Sequence, residues 1–403
     1  MRLYLNLTLL LALIALGSGV IAAQQSTVTQ SSKLPPADPK WSQNGFQANH
    51  SSFNSLETVL NRADVSGLTW QWAGEVGASG ATSPVVGGGI VYIASDGTIF
   101  AFQARDGTPL WSHLSCSGQG TVEAAWSPQA LLVGDGGGDL AAYDPVTGSQ
   151  IWCRDERGSI TSAPAMDATS VYITNGADVV AADPLTGNER WRFTPSDFSP
   201  VTNTPAVSNG VVYVTGGSSV FALDSATGQQ LWRTDLGLQA NISAASVAGN
   251  LVYVGGQNLY ALRTSDGRLR WTQSMVGVNV SMPAIANNRV FVNSQDPVFG
   301  LWAFNANSGA FLWRNRMPEE SEATVTVANG VVFDIAEPGG LAGAGGLLMF
   351  DSTTGAFLGS IVDPDGHPFS HFFRSQPAVV NGAVYIPTSD PNGGNRVDVF
   401  RLP

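Results

Sequence analysis

Ala222-Leu-Asp224-Ser-Ala-Thr-Gly228-Gln-Gln-Leu-Trp232 decides the fold of this chain, because its pattern recurs. Ala142-Tyr-Asp144-Pro-Val-Thr-Gly148-Ser-Gln-Ile-Trp152 has the same order of Ala, Asp, Thr, Gly and Trp. Working outward, Trp72, Trp111, Trp152, Trp191, Trp232, Trp271 and Trp313 fall at spacings of 39, 41, 39, 41, 39 and 42 residues. All but Trp72 stand four residues after a glycine: Gly107, Gly148, Gly187, Gly228, Gly267 and Gly309. A further turn at Asp351 to Gly355 ends in Gly359 where the tryptophan would stand. A period near 40 containing several short strands is the signature of a propeller blade.

Within one unit, residues 84–111 read PVVGGGIVYIASDGTIFAFQARDGTPLW. Gly-rich and Asp-Gly pairs sit where tight hairpins require positive φ, and the β-branched and aromatic runs between them suit strands covered on both faces. Helical periodicity is absent. Inner strands start near Pro84, Ala125, Pro164, Pro205, Ala245, Pro283, Thr324 and Pro377, which makes eight units. The last unit stops before any Trp strand, and Leu68 to Trp72 can supply it. This predicts an all-β, eight-bladed propeller of four-stranded antiparallel blades, its ring closed by pairing the N- and C-terminal strands; seven blades is the alternative if the irregular last units merge.

Composition agrees. The 403 residues carry 19 Lys+Arg against 31 Asp+Glu, a net charge of −12, and only 12% are charged. With 43% apolar residues a large core forms, and a coiled coil or disordered chain is excluded. An acidic chain without a basic stripe excludes nucleic acid as the main partner. Met1 to Ala23 reads as a signal peptide: Arg2, a short apolar run from Leu9 to Leu16, and small residues before Gln24. The run is too short for a membrane span, and no Cys near the cleavage site points to a lipid anchor. The expected organisation is therefore a signal peptide at 1–23, a disordered segment and lead-in at 24–67, and the propeller at 68–403. Residues 24–38 are rich in Gln, Ser, Thr and Pro; the lead-in around Trp41 to Gly45 is expected to wrap across the propeller. In an exported chain Cys116 and Cys153 can form a disulfide or remain two buried thiols, and the sequence leaves both open.

The Ala-x-Asp-x-x-Thr-Gly-x-x-x-Trp phrase resembles the tryptophan-docking motif of the pyrroloquinoline-quinone (PQQ) repeat propellers, over about residues 68–403. That family includes quinoprotein alcohol and glucose dehydrogenases and also the outer-membrane assembly factor BamB, which has the fold without the quinone. The resemblance implies the architecture and leaves the chemistry to the site. This chain departs from the motif at Gln103, Arg263 and Asn305, which replace Asp, and at Gly359, which replaces Trp; a looser blade junction is expected near 337–372.

A quinoprotein of this family would hold PQQ between apolar faces beside a divalent cation and an acidic base. Adjacent cysteines and a haem-attachment motif are absent, and so are the long insertions that build such a pocket. Two residues before each inner strand stand Thr82, Glu123, Ser162, Asn203, Ser243, Ser281, Glu322 and Ser375, all polar, predicting a collar at one channel mouth. Glu123, Asn203 and Glu322 are the collar members able to bind a cofactor or polar ligand, with Glu123 and Asn203 as metal candidates and Trp126 as a stacking floor. A hydrated rim, with Trp126 in the core, is the structural alternative. The insertion from Asp363 to Arg374 holds His367 and His371, but Pro368 forbids a helix that would align them, so an ordered loop is expected. The Gly-rich stretch from Glu337 to Gly346 lacks the features of a phosphate loop. No catalytic residue is assigned. The reading is a periplasmic or secreted, monomeric, non-catalytic binding or scaffold propeller without a required cofactor, whose partner is another envelope or extracellular protein. The alternatives are a PQQ- and calcium-dependent dehydrogenase of alcohols or sugars and a carbohydrate-binding propeller.

Overall fold

A computed structural model describes residues 40–403 except 78–79, 121–122, 161, 198–199, 238–241, 276–280, 295–299, 317–320, 322, 339–343, 366–368, 370–375 and 390–393. The expected signal peptide and the segment at 24–38 lie outside the described residues. Among the described residues no helix is long and apolar enough to cross a membrane.

Eight sheets follow one another along the chain. Blades 1 to 7 occupy residues 85–114, 124–155, 165–193, 206–235, 246–274, 284–316 and 326–361, each an antiparallel meander of four strands. Blade 8 is made by both ends of the chain: strands Ala378–Val380, Ala383–Ser389 and Asn395–Arg401 pair in order, and Thr69–Gly77 adds as the outermost strand, with Thr69 opposite Arg401. The predicted ring closure is observed.

The inner hairpins turn where the sequence supplies residues that accept positive φ. Asn209-Gly210, Asn287-Asn288, Asn329-Gly330 and Asn381-Gly382 all adopt it at both central positions, the geometry that matches the twist of the flanking strands. The middle strands are buried on both faces; Val211–Gly216 and Ser219–Asp224 are almost wholly inaccessible.

Blades are joined by the tryptophan grid. Each docking ring lies on the turn glycine of the next blade: Trp72 on Gly107, Trp111 on Gly148, Trp152 on Gly187, Trp191 on Gly228, Trp232 on Gly267, Trp271 on Gly309 and Trp313 on Gly355. At Gly228, φ is +73° and a Cβ would come within 2.6 Å of the Trp191 ring, so both the turn and the close approach exclude other residues. The indole N–H of Trp191, Trp232 and Trp271 donates to the carbonyls of Ser225, Thr264 and Ala306 in the next blade, each at 2.8 Å. The motif Asp shapes the turn: Asp224 Oδ1 accepts from the N–H groups of Ala226 and Thr227 and from the Thr227 hydroxyl. Where Gln103 and Arg263 replace it, Asp106 and Asp266 take over by accepting from the N–H of Thr108 and Arg268.

The described part of 337–372 is not looser. Leu60, Val65 and Leu68 of the lead-in pack into one core with Phe333, Met349, Ile361, Phe369 and Phe400, and the short 3-10 helix Val65–Gly67 sits against Gly359. The missing tryptophan is replaced by chain from elsewhere.

Candidate functional site

The expected collar is a polar ring at one mouth of the channel, with Glu123, Asn203 and Glu322 as its members able to bind a ligand. Three of its six described members, Thr82, Ser243 and Ser281, lengthen their own blades. Thr82 donates its N–H to Ala94 O, and its hydroxyl accepts from Ala94 N–H; Ser243 does the same with Gly255, and Ser281 with Asn293. Others tie neighbouring blades. Thr174 Oγ1 donates to Asn203 O, Thr215 Oγ1 to Ser243 O, and Asn203 Nδ2 to Thr215 Oγ1 and Ile242 O, at 2.8–3.3 Å. Ser162 and Asn203 are buried, 6% and 7% exposed, so the hydrated-rim alternative does not describe them either. Glu322 and Ser375 lie outside the described residues.

The axis of the propeller is filled by the lead-in. The inner edge of each first strand offers backbone groups that need partners. The segment from Trp41 to Asn54 meets them blade by blade. Trp41 and Val86 exchange two backbone hydrogen bonds in blade 1, and Trp126 N–H of blade 2 donates to Ser42 O. In blade 3 the Gln43 carboxamide stands in for a strand, accepting from Met166 N–H at 2.8 Å and donating to Met166 O at 3.1 Å. Val207, Val247, Ile285 and Val327, of blades 4 to 7, donate to the carbonyls of Ala48, Asn49, Ser51 and Ser52 at 2.6–2.8 Å. Phe53–Asn54 then runs parallel to Val327 and Ala328, and Asn54 Nδ2 reaches Val379 O of blade 8.

Between blades 3 and 4 the lead-in turns into the channel. Gly45 N–H donates to Gln376 Oε1 of blade 8, and Asn44 Nδ2 approaches Glu123 Oε2 at 3.5 Å. The tight path needs positive φ at Gly45, Phe46, His50 and Ser52. His50 is fully buried with neither ring nitrogen hydrogen-bonded, and burial pulls its pKa down to about 3.

The described members of the candidate quinone and cation set make other contacts. Glu123 faces the plug, the Asn203 amide spans blades 4 and 5, and Trp126 is 5% exposed with its ring on the bare backbone of Gly87. Of the two readings of this ring, stacking floor or core, the structure has the core one, between blades 1 and 2. Elsewhere, Cys116 and Cys153 are joined, Cα to Cα 6.4 Å, linking the outer parts of blades 1 and 2. Asp139 lies beside both sulfurs, but sulfurs bonded to each other are spent as metal ligands. Asp363 and Asp365 of the insertion pair with Arg396, which also holds Asp398, while His367 and His371 lie outside the described residues.

One polar cluster was not among the expected site residues. Asp334, fully buried on the second strand of blade 7, accepts from Asn293 Nδ2 of blade 6 at 2.8 Å and from Ser321 Oγ at 2.9 Å. Burial pushes its pKa up to about 7, against the pull of these donors. Strand register sets Asp334 where the other blades have Ile173, Val214 and Val292, so a carboxylate at an otherwise apolar repeat position was the signal that could have found it.

An eight-bladed ring joined by tryptophan docking has the architecture of a PQQ-repeat propeller. A family model described as Outer membrane protein assembly factor BamB matches residues 67–159, 136–224 and 216–390. The chain belongs to this family. No match is found among curated protein sequences. Solved structures with the same fold include quinohemoprotein alcohol dehydrogenase ADHIIG from Pseudomonas putida HK5, at 15% identity and TM-score 0.72, covering 90% of this chain and 80% of that one. The quinohemoprotein alcohol dehydrogenase from Comamonas testosteroni has 16% identity, the same coverage and the same TM-score. BamB from Moraxella catarrhalis matches at 16% identity and TM-score 0.64, over 83% of this chain and 99% of that one. Identities this low speak for the fold alone.

Proposed function

We propose that this protein is an exported, non-catalytic binding or scaffold propeller that engages another protein of the cell envelope, in line with the outer-membrane protein assembly named in its family description. The observation that carries the reading is the lead-in, which occupies the axis and hydrogen-bonds to the first strand of every blade. A quinone site on that axis would require this plug to leave, breaking roughly ten hydrogen bonds, each worth about 0.5–1.5 kcal/mol. Its place is the periplasm or the cell exterior, and it acts as a monomer. No cation or quinone is required.

The test is incubation of the purified protein with PQQ and Ca²⁺, followed by gel filtration, absorbance of retained quinone and dye-linked oxidation of alcohols and sugars. The expected result is no stoichiometric quinone and no turnover. Stoichiometric retention with turnover would replace this reading with that of a quinoprotein dehydrogenase.

A further inference from the structure

The detour of the lead-in between Gln43 on blade 3 and Ala48 on blade 4 opens a cleft of about 540 Å³. One wall is the lead-in from Lys40 to Asn49, and the other is the inner hairpins of blades 2, 3 and 4. Blades 2 and 3 raise that wall: their hairpins carry four connecting residues, 127–130 and 167–170, where blade 4 has only 209–210. Met166 and Val207 give the floor an apolar part.

Gln43, Ser127 and Asp167 on this cleft are engaged by their own neighbours, and other polar groups on it are unspent. The carboxamides of Gln47 and Asn209 and the ammonium of Lys40 have no hydrogen-bond or ion-pair partner among the described residues, and Asn49 uses only its oxygen, which accepts from Ser51 N–H. The same rim shows what such carboxamides hold. Gln43 pairs with both backbone groups of Met166, and Gln376 joins Gly45 N–H to Val325 O. A carboxamide offers one acceptor and two donors in the plane of a peptide bond, so it substitutes for a neighbouring strand. A saccharide would want an exposed ring face, and Trp126, the one aromatic residue lining the cleft, is 5% exposed. A polyanion would meet one cation, Lys40, and the carboxylate of Asp167, which is occupied by donors from Thr169, Ser170 and Tyr172. On a chain of net charge −12, one carboxylate seated on Lys40 is as much anion as the cleft suits.

We propose that this cleft binds an extended peptide segment bearing a carboxylate, with its backbone amides on Gln47, Asn49 and Asn209 and its carboxylate on Lys40. The proposal rests on the binding-protein reading above and names the class of partner segment. The carboxylate can be a chain terminus or an acidic side chain.

The experiment is fluorescence polarisation with the full mature protein and three mixtures of fluorescein-labelled tetrapeptides: neutral with a free terminal carboxylate, amidated with one Asp, and amidated and neutral. Saturable binding is expected for at least one carboxylate-bearing mixture, at least fivefold tighter than for the neutral one. Lys40→Glu should abolish that preference. Asn209→Gly, which keeps the turn, should weaken all binding at least threefold with an unchanged melting temperature. The proposal fails if no mixture saturates the wild type, or if both variants bind as the wild type does. Failure of the underlying reading has a separate signature, quinone-dependent turnover, which peptide binding does not report.

Discussion

Asp334 and His50 are both fully buried, and they pull the pH dependence of stability in opposite directions. Burial raises the folded-state pKa of Asp334 from 3.8 to about 7, so folding favours the protonated acid. That contribution is complete below pH 4 and is lost as pH rises through 7. His50 is depressed from 6.5 to about 3, so folding favours the neutral ring; its contribution is complete above pH 6.5 and is lost as pH falls toward 3. Asp334→Asn should therefore match the wild type near pH 4 and exceed it at pH 8, by about 1–4 kcal/mol. The replacement suits the site: Oδ1 keeps its two donors, and the new amide takes the place of Oδ2, which has no partner, near the equally unpartnered Asn293 Oδ1. His50→Gln should flatten the loss of stability between pH 6.5 and 4. Urea midpoints across pH 4–8 check both, and a parallel shift of both variants at every pH would contradict the assignment.

At the scale of elements, the cystine joins the end of blade 1 to the outer strand of blade 2 across 37 residues of sequence. A loop of that length gives an upper bound of about 4 kcal/mol from the entropy of the unfolded chain. The docking of Trp111 on Gly148 already holds these two blades, so the realised value should be smaller. Reduction by dithiothreitol, or Cys116→Ser with Cys153→Ser, should lower the melting temperature by several degrees and leave the β signal in circular dichroism unchanged at 25 °C. Loss of that signal would mean that the blades need the bond to form. The blades themselves were legible in the sequence because each obeys local rules: period-2 apolar strands, Asn-Gly turns and an Asp-Gly-Trp phrase. For the lead-in, a path across the propeller was expected from the sequence, but its register was not legible. Its register comes from Gln43, Gln376 and Asn54 side chains imitating backbone, and from positive φ at Phe46, His50 and Ser52, none of which is the Gly or Asn that marks such a position in the inner hairpins. The roles of the collar positions were hidden for a related reason. Thr82, Ser243 and Ser281 use their hydroxyls to extend sheets, and polarity in the sequence does not distinguish that from binding or hydration.

At the scale of the whole ring, the seam explains why one tryptophan is missing. Each docking ring needs the turn glycine that joins the third and fourth strands of the next blade. Blade 8 has no such turn, because its third strand ends the chain at Arg401 and its fourth, Thr69–Gly77, comes from the beginning. A tryptophan on blade 7 would have no glycine to cover. Gly359 stands there instead, at φ +153°, with the Cβ of Ser66 3.2 Å from where its own Cβ would be. A consensus argument from the other blades would predict that Gly359→Trp stabilises the protein. The ring argument predicts the reverse, since the indole would displace Val65–Gly67 and the Leu60, Val65 and Leu68 contacts that seal blades 7 and 8. Overpacking of this kind costs typically about 1–3 kcal/mol, with further strain from the positive φ. Gly359→Trp should lower the melting temperature in calorimetry, and Gly359→Ala should do so less. A rise for the tryptophan variant would show that the seam follows the same docking rule as the other seven junctions, and that the lead-in is dispensable there.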